Sequence, residues 1–144
     1  ALTGTGLGAK ILRSTDYGAT WADLGQKFLQ TLIFSFADLG NGIALTGTGL
    51  GAKILRSTDY GATWADLGQQ FAQARIISLA YLGNGIALAG TAESGKILRS
   101  TDYGATWADL GQQFAQIYIF CLAYLGNGIA LAGTGQGGKI LRAT

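Results

Sequence analysis

Residues 44–86 read ALTGTGLGAKILRSTDYGATWADLGQQFAQARIISLAYLGNGI, and nearly the same 43 residues stand immediately before them, at 1–43. The two copies differ at seven aligned positions, which in the first are Lys27, Leu29, Thr31, Leu32, Phe34, Phe36 and Asp38. A third copy occupies 87–129, and residues 130–144 restart the unit as ALAGTGQGGKILRAT. Repetition at a fixed period of this length marks an architecture whose units bury their apolar faces only by stacking on one another.

Within the unit, turn signals separate four short apolar runs. Thr31–Asp38 reads as strand A and Ile43–Thr48 as strand B, joined by Leu39-Gly40-Asn41-Gly42. Asn-Gly supplies the positive φ that a two-residue hairpin turn needs. The Gly-rich loop Gly49–Ala52 leads to strand C, Lys53–Ser57, and the turn Asp59-Tyr60-Gly61-Ala62 leads to strand D, Thr63–Leu67. No stretch of helical length carries the 3.6-residue apolar period, so the chain is all-β. A period of 40–45 residues with four antiparallel strands is that of a propeller blade. The chain then divides into a partial blade 1–30, blades 31–73 and 74–116, and a partial blade 117–144.

The turn between strands C and D carries a more specific pattern, S-x-D-x-G-x-T-W. It stands at Ser14, Asp16, Gly18, Thr20 and Trp21, at Ser57, Asp59, Gly61, Thr63 and Trp64, and at Ser100, Asp102, Gly104, Thr106 and Trp107. Its physical roles follow from residue type: the Asp accepts backbone N–H bonds across the turn, the Gly takes a φ closed to other residues, and the Trp lays a large ring on the hairpin or the next blade. The pattern resembles the Asp-box, or bacterial neuraminidase repeat, of sialidase-like propellers, and with the repeats around it the resemblance extends over the whole chain. It implies a structural role for the boxes, on the face away from the ligand site.

The ends do not close. The chain begins at strand B and stops after strand C, with Ala143 and Thr144 where the first copy has Ser14 and Thr15. Three blades and a fraction are too few for a ring, since propellers have four to eight blades, and open flanking blades leave unpaired edges. The expected remedy is self-association, with a dimer of three-repeat chains giving six blades. Because 1–15 and 130–144 both encode strands B and C, which copy is used at the junction stays open at this level.

Composition narrows the functional classes. Among 144 residues there are 24 Gly, a net charge of +2 without like-charge runs, one Cys and no His, Met or Pro. Val is missing too, although strands favour it, which with the near-identity of the copies points to a recently amplified or engineered gene. No basic patch calls for nucleic acid. The longest apolar run, Ile117 to Leu125, is far short of the ~20 residues of a membrane-spanning helix, and no charged segment precedes an apolar one as in a secretory leader. Disulfide frameworks and His-based catalytic or metal sites are absent, and no cofactor is implied. Cys121 stands where the other copies have Ser35 and Ser78 and is expected to be a small buried thiol.

The differences between copies alternate along strand A. Leu32, Phe34, Phe36 and Asp38 become Arg75, Ile77, Leu79 and Tyr81, then Tyr118, Phe120, Leu122 and Tyr124, while the residues between them barely change. A period of two places the varying set on one strand face. A second variable patch, Ala92-Glu93-Ser94-Gly95, falls in the loop between strands B and C. Two readings stand: repacking against the neighbouring blade, or a rim of Arg75, Tyr81, Glu93, Tyr118 and Tyr124 that binds a glycan or peptide as a lectin does. A sialidase-like reaction requires an Arg cluster, a Tyr–Glu pair and an acid from different blades. Here Arg13, Arg56, Arg99 and Arg142 are copies of one position, and Glu93 is the sole Glu. Asp23, Asp66 and Asp109, one per blade, are expected to face solvent or pair with Lys or Arg. Gly4-Thr5-Gly6-Leu7-Gly8 lacks the helix and Lys-Ser/Thr of a phosphate loop. The expected function is therefore non-enzymatic: a repeat scaffold that assembles with itself into a closed propeller, with the glycan-binding rim as the alternative.

Overall fold

The computed structural model describes residues 1–144 apart from 7, 27–31, 50, 70–74, 113–117 and 136. Among the described residues fourteen strands form four antiparallel sheets, each a meander in chain order. The first sheet holds β1 (Leu2–Gly4), β2 (Lys10–Arg13) and β3 (Ala22–Gln26). The second holds β4 (Ile33–Gly40), β5 (Ile43–Thr48), β6 (Lys53–Ser57) and β7 (Ala65–Gln69). The third repeats it with β8 (Arg75–Gly83), β9 (Ile86–Ala92), β10 (Lys96–Ser100) and β11 (Ala108–Gln112). The last holds β12 (Ile119–Gly126), β13 (Ile129–Thr134) and β14 (Ile140–Ala143). The boundaries expected between blades, near residues 30, 73 and 116, lie outside the described residues.

Strands B and C fall where the turn chemistry places them. Asn41 and Gly42, at φ 51° and 80°, and their equivalents Asn84-Gly85 and Asn127-Gly128 make the A–B turns. Strand D starts two residues later than expected, at Ala65 instead of Thr63. Thr63 and Trp64 are held instead by the preceding turn, through bonds from the Thr63 amide and hydroxyl to Asp59 and from Trp64 Nε1 to the Gly61 carbonyl. A threonine also pins each B–C loop: Thr48 Oγ1 donates to the Lys53 carbonyl (3.1 Å) and accepts from its amide (3.2 Å), as Thr91 and Thr134 do with Lys96 and Lys139.

Sheets stack through a repeated contact. Ile76 on β8 lies over Gly47 on β5 of the preceding blade; a Cβ on Gly47 would come within 2.6 Å of the Ile76 carbonyl oxygen and 2.7 Å of its Cγ2. Ile33 meets Gly4 and Ile119 meets Gly90 in the same way. The isoleucines are branched knobs, and the glycines are the only residues flat enough to receive them. The largest core, between the two four-stranded blades, gathers Leu39, Leu45, Ile54, Ile76, Leu79 and Leu98, with Tyr81 and Trp107 against it.

Two expectations need correction. The varying positions do not keep to one face of strand A, because a β-bulge shifts the register between Ile76 and Ser78. Beyond it, Leu79 joins the invariant Ile76 in the inter-blade core. Cys121 is exposed instead of buried. Its equivalent Ser78 is covered by the next blade and donates to the Ile119 carbonyl at 2.8 Å, whereas among the described residues no sheet packs on the outer side of β12–β14 to cover Cys121.

Gly47→Ala is expected to lower stability by about 1–3 kcal/mol, the usual cost of overpacking. Gly133→Ala, where the added methyl meets only the Cys121 sulfur, is expected to cost less. Urea unfolding of both variants checks the order; equal losses would mean that the Ile–Gly contact does not set the blade spacing.

Candidate functional site

The three S-x-D-x-G-x-T-W turns share one geometry. In the second, Ser57 Oγ donates to Asp59 Oδ1 (2.8 Å) and accepts from the Gly61 amide (2.9 Å). Asp59 then takes the Thr63 amide on Oδ1 (2.8 Å) and the Thr63 hydroxyl on Oδ2 (2.6 Å). Ser14, Asp16, Gly18, Thr20 and Trp21 repeat these bonds, as do Ser100, Asp102, Gly104, Thr106 and Trp107. Such bonds favour the ionised carboxylate. The Thr63 hydroxyl and amide and the Ser57 hydroxyl hold the Asp59 pKa down to about 2. At Asp102 burial pushes the other way, yet the bonds from Thr106 and Ser100 prevail and again leave it at about 2. Asp16 is lowered chiefly by its Thr20 bonds. Each carboxylate is spent on its own turn and none is poised as an acid or base.

The sequence pattern alone does not single out the Tyr of each turn. Tyr17, Tyr60 and Tyr103 lie at φ 59°, 59° and 57°, a region unusual for an aromatic residue. Tyr60 is held there from two sides. Its amide donates to the Gly42 carbonyl of its own blade's A–B turn (2.9 Å), and its carbonyl accepts from Arg13 Nε of the preceding blade (2.9 Å). Tyr103 has the same two partners, Gly85 and Arg56. The signal available in the sequence was the constancy of Tyr at a position the pattern leaves free.

The five residues of the expected rim do not come together. Arg75 and Glu93 pair at 3.6 Å, both side chains nearly half exposed, where β8 begins and the B–C loop turns. Tyr118, at the start of the next blade's strand A, stacks on Phe120 with ring centroids 5.3 Å apart. Tyr81 and Tyr124 lie at the other end of strand A, about 20 Å away at ~3.4 Å per residue. Their hydroxyls accept the Gly85 and Gly128 amides of the A–B turns at 3.3 Å. The strand-D carboxylates are also engaged: Asp23, Asp66 and Asp109 pair with Lys10, Lys53 and Lys96 at 2.6, 2.6 and 2.7 Å. Strand-C arginine thus serves the next blade's turn, and lysine serves the aspartate. Among the described residues no three His, Cys, Asp or Glu side chains cluster as metal ligands.

No family model and no curated protein matches the sequence. Solved structures do match its fold. An ancestral GH74 enzyme aligns over 99% of this chain with a TM-score of 0.79 at 15% identity. The GH74 xyloglucanase of Xanthomonas campestris aligns over 92% with 0.71 at 18%, and YCF48 bound to a D1 peptide over 76% with 0.64 at 22%. All are β-propeller proteins. The chain spans only 21%, 23% and 36% of their respective lengths. The fold is therefore that of a propeller, with several four-stranded antiparallel blades.

Because Asp59 and Asp102 titrate near 2 in the folded chain against about 3.9 when unfolded, their stabilisation is complete above pH ~4 and is lost as pH falls towards 2. Asp59→Asn is expected to flatten that acid limb in chemical denaturation at pH 2–6. An unchanged slope would mean that the turn carboxylates are not the linked groups.

Proposed function

We propose that the chain is a non-enzymatic Asp-box repeat scaffold whose property is assembly with itself into a closed propeller, two chains to a ring. The observation that carries this reading is the set of large apolar side chains left exposed on the last sheet, β12–β14. Phe120, Leu125 and Ile140 stand at 59%, 62% and 78% exposure, large apolar side chains that a further sheet packed there would cover. Against an enzyme stands the engagement of the turn and strand-D carboxylates described above. Peptide or glycan binding would fall to Arg75, Glu93 and Tyr118; two of these are already paired with each other, which favours the scaffold.

Size-exclusion chromatography with light scattering is expected to give twice the chain mass of 14.9 kDa. A stable monomer would contradict the proposal.

A further inference from the structure

Every interior Asp-box turn receives three contacts. From the preceding blade come a Leu side chain over its Gly, as Leu2 lies over Gly61 and Leu45 over Gly104, and an Arg Nε on its Tyr carbonyl, as Arg13 bonds Tyr60 and Arg56 bonds Tyr103. From its own blade comes the A–B turn carbonyl that takes its Tyr amide, Gly42 for Tyr60 and Gly85 for Tyr103. Among the described residues the first turn has none of these. Tyr17 is fully exposed, and only its own Trp21 lies within 4 Å of where a Gly18 Cβ would be. The next members of the three series, Leu88 and Arg99 on the third sheet and Gly128 in the A–B turn of the last, meet no such turn among the described residues, and a Cβ on Gly128 would meet nothing within 4 Å. The vacancies at one end match the surplus at the other.

Resting on the reading of self-assembly, we propose that the ring closes by strand exchange: β12 of one chain leaves its own β13 and pairs with the free edge of the partner's β1, displacing residues 130–144. The hybrid blade is then β12 with the partner's β1–β3. The interior registers Leu79↔Ala89 and Tyr81↔Ala87 fix the new one, placing Leu122 opposite the partner's Thr3 and Tyr124 opposite the partner's Ala1. The partner's Tyr17 gains the Gly128 carbonyl and the Arg99 guanidinium, and the partner's Gly18 gains Leu88. The cavity of about 770 Å³ beside Ala1, Leu2, Tyr17 and Asn41 lies at the corner that β12 and its turn would fill.

Two alternatives fail on the same residues. Stacking the ends without exchange makes an eight-sheet ring in which Tyr17 never shares a blade with Gly128 and the blade after Arg99 carries no Asp-box. Exchange in the opposite sense, keeping 130–144 and displacing the partner's first strands, puts Ala143 where Ser14 stands. Ala143 has no hydroxyl to give Asp16 or to accept the Gly18 amide, bonds that Ser14 makes at 2.7 Å each. The exchange itself is nearly neutral, because ALTGTG at 1–6 replaces ALAGTG at 130–135 beside β12. The new turn contacts tip the balance, and a single chain closing on itself would make only a three-bladed ring.

Hydrogen exchange read by mass spectrometry on the unmodified assembly tests this, alongside its mass. Amides of residues 130–143 are expected to exchange at the rate of an unstructured tail while those of residues 2–4 are protected. Protected 130–143 in a chain of doubled mass would overturn the exchange and leave the assembly standing; a monomer would overturn both. A second test does not depend on protection. In a Cys121→Ser background, Thr3→Cys with Leu122→Cys is expected to give a covalent dimer under mild oxidation, since paired antiparallel positions suit a disulfide. Ala132→Cys with Leu122→Cys, opposite each other within the unexchanged chain, is expected to link poorly. The reverse result would overturn the proposal.

Discussion

The fit of an isoleucine against a glycine on the preceding sheet governs the rest of the molecule. Ile33 on Gly4, Ile76 on Gly47 and Ile119 on Gly90 repeat one contact between successive blades three times over. A side chain on the glycine would push the sheets apart and open the core in which Leu45, Ile54 and Leu98 are fully buried. Burying an isoleucine contributes roughly 1.5–3 kcal/mol, more than the surface ion pairs supply. The ion pairs are secondary. Lys10–Asp23 is nearly half exposed on both sides, and surface pairs of that kind contribute 0–1 kcal/mol. Their uniform placement between strands C and D suits them better to fixing the register of that hairpin.

The box turn adds direction to the stack. Its serine, aspartate and threonine bonds are internal and would hold a hairpin end in any fold. What links one blade to the next is the tyrosine between serine and glycine, strained to positive φ and held by a carbonyl of its own blade and an arginine of the one before. The contact runs one way along the chain, from each blade to its successor. A stack built from one-way contacts has a donor side and an acceptor side, which the proposed ring would bring together.

Much of this was legible in the sequence because turn chemistry is local. Asn-Gly announced the A–B hairpins, and the 43-residue step announced the repeated unit. What escaped was tertiary. Nothing in the composition of ADLGQ says that Thr63 and Trp64 are withheld from strand D by Asp59 and Gly61. The bulge at Ile77 moves Leu79 into the core and breaks an alternation that looked continuous in the sequence. Ser78, the counterpart of Cys121, is buried because the sheet after it supplies the Ile119 carbonyl, whereas Cys121 lies on the last described sheet and is exposed. The rim was proposed from strand-face parity, whereas Arg75 and Tyr81 stand at opposite ends of one strand.

The GH74 propeller structures that match this chain are several times longer than it. Here the blade geometry is built from near-identical copies, and on the proposed reading two chains complete it. The most direct measurement is an image of the assembly that resolves its blades, by electron microscopy or crystallography. Six blades around a two-fold axis, two of them built from both chains, is the expected result; eight sheets with three-stranded blades at each junction, or an open stack of four, would contradict it.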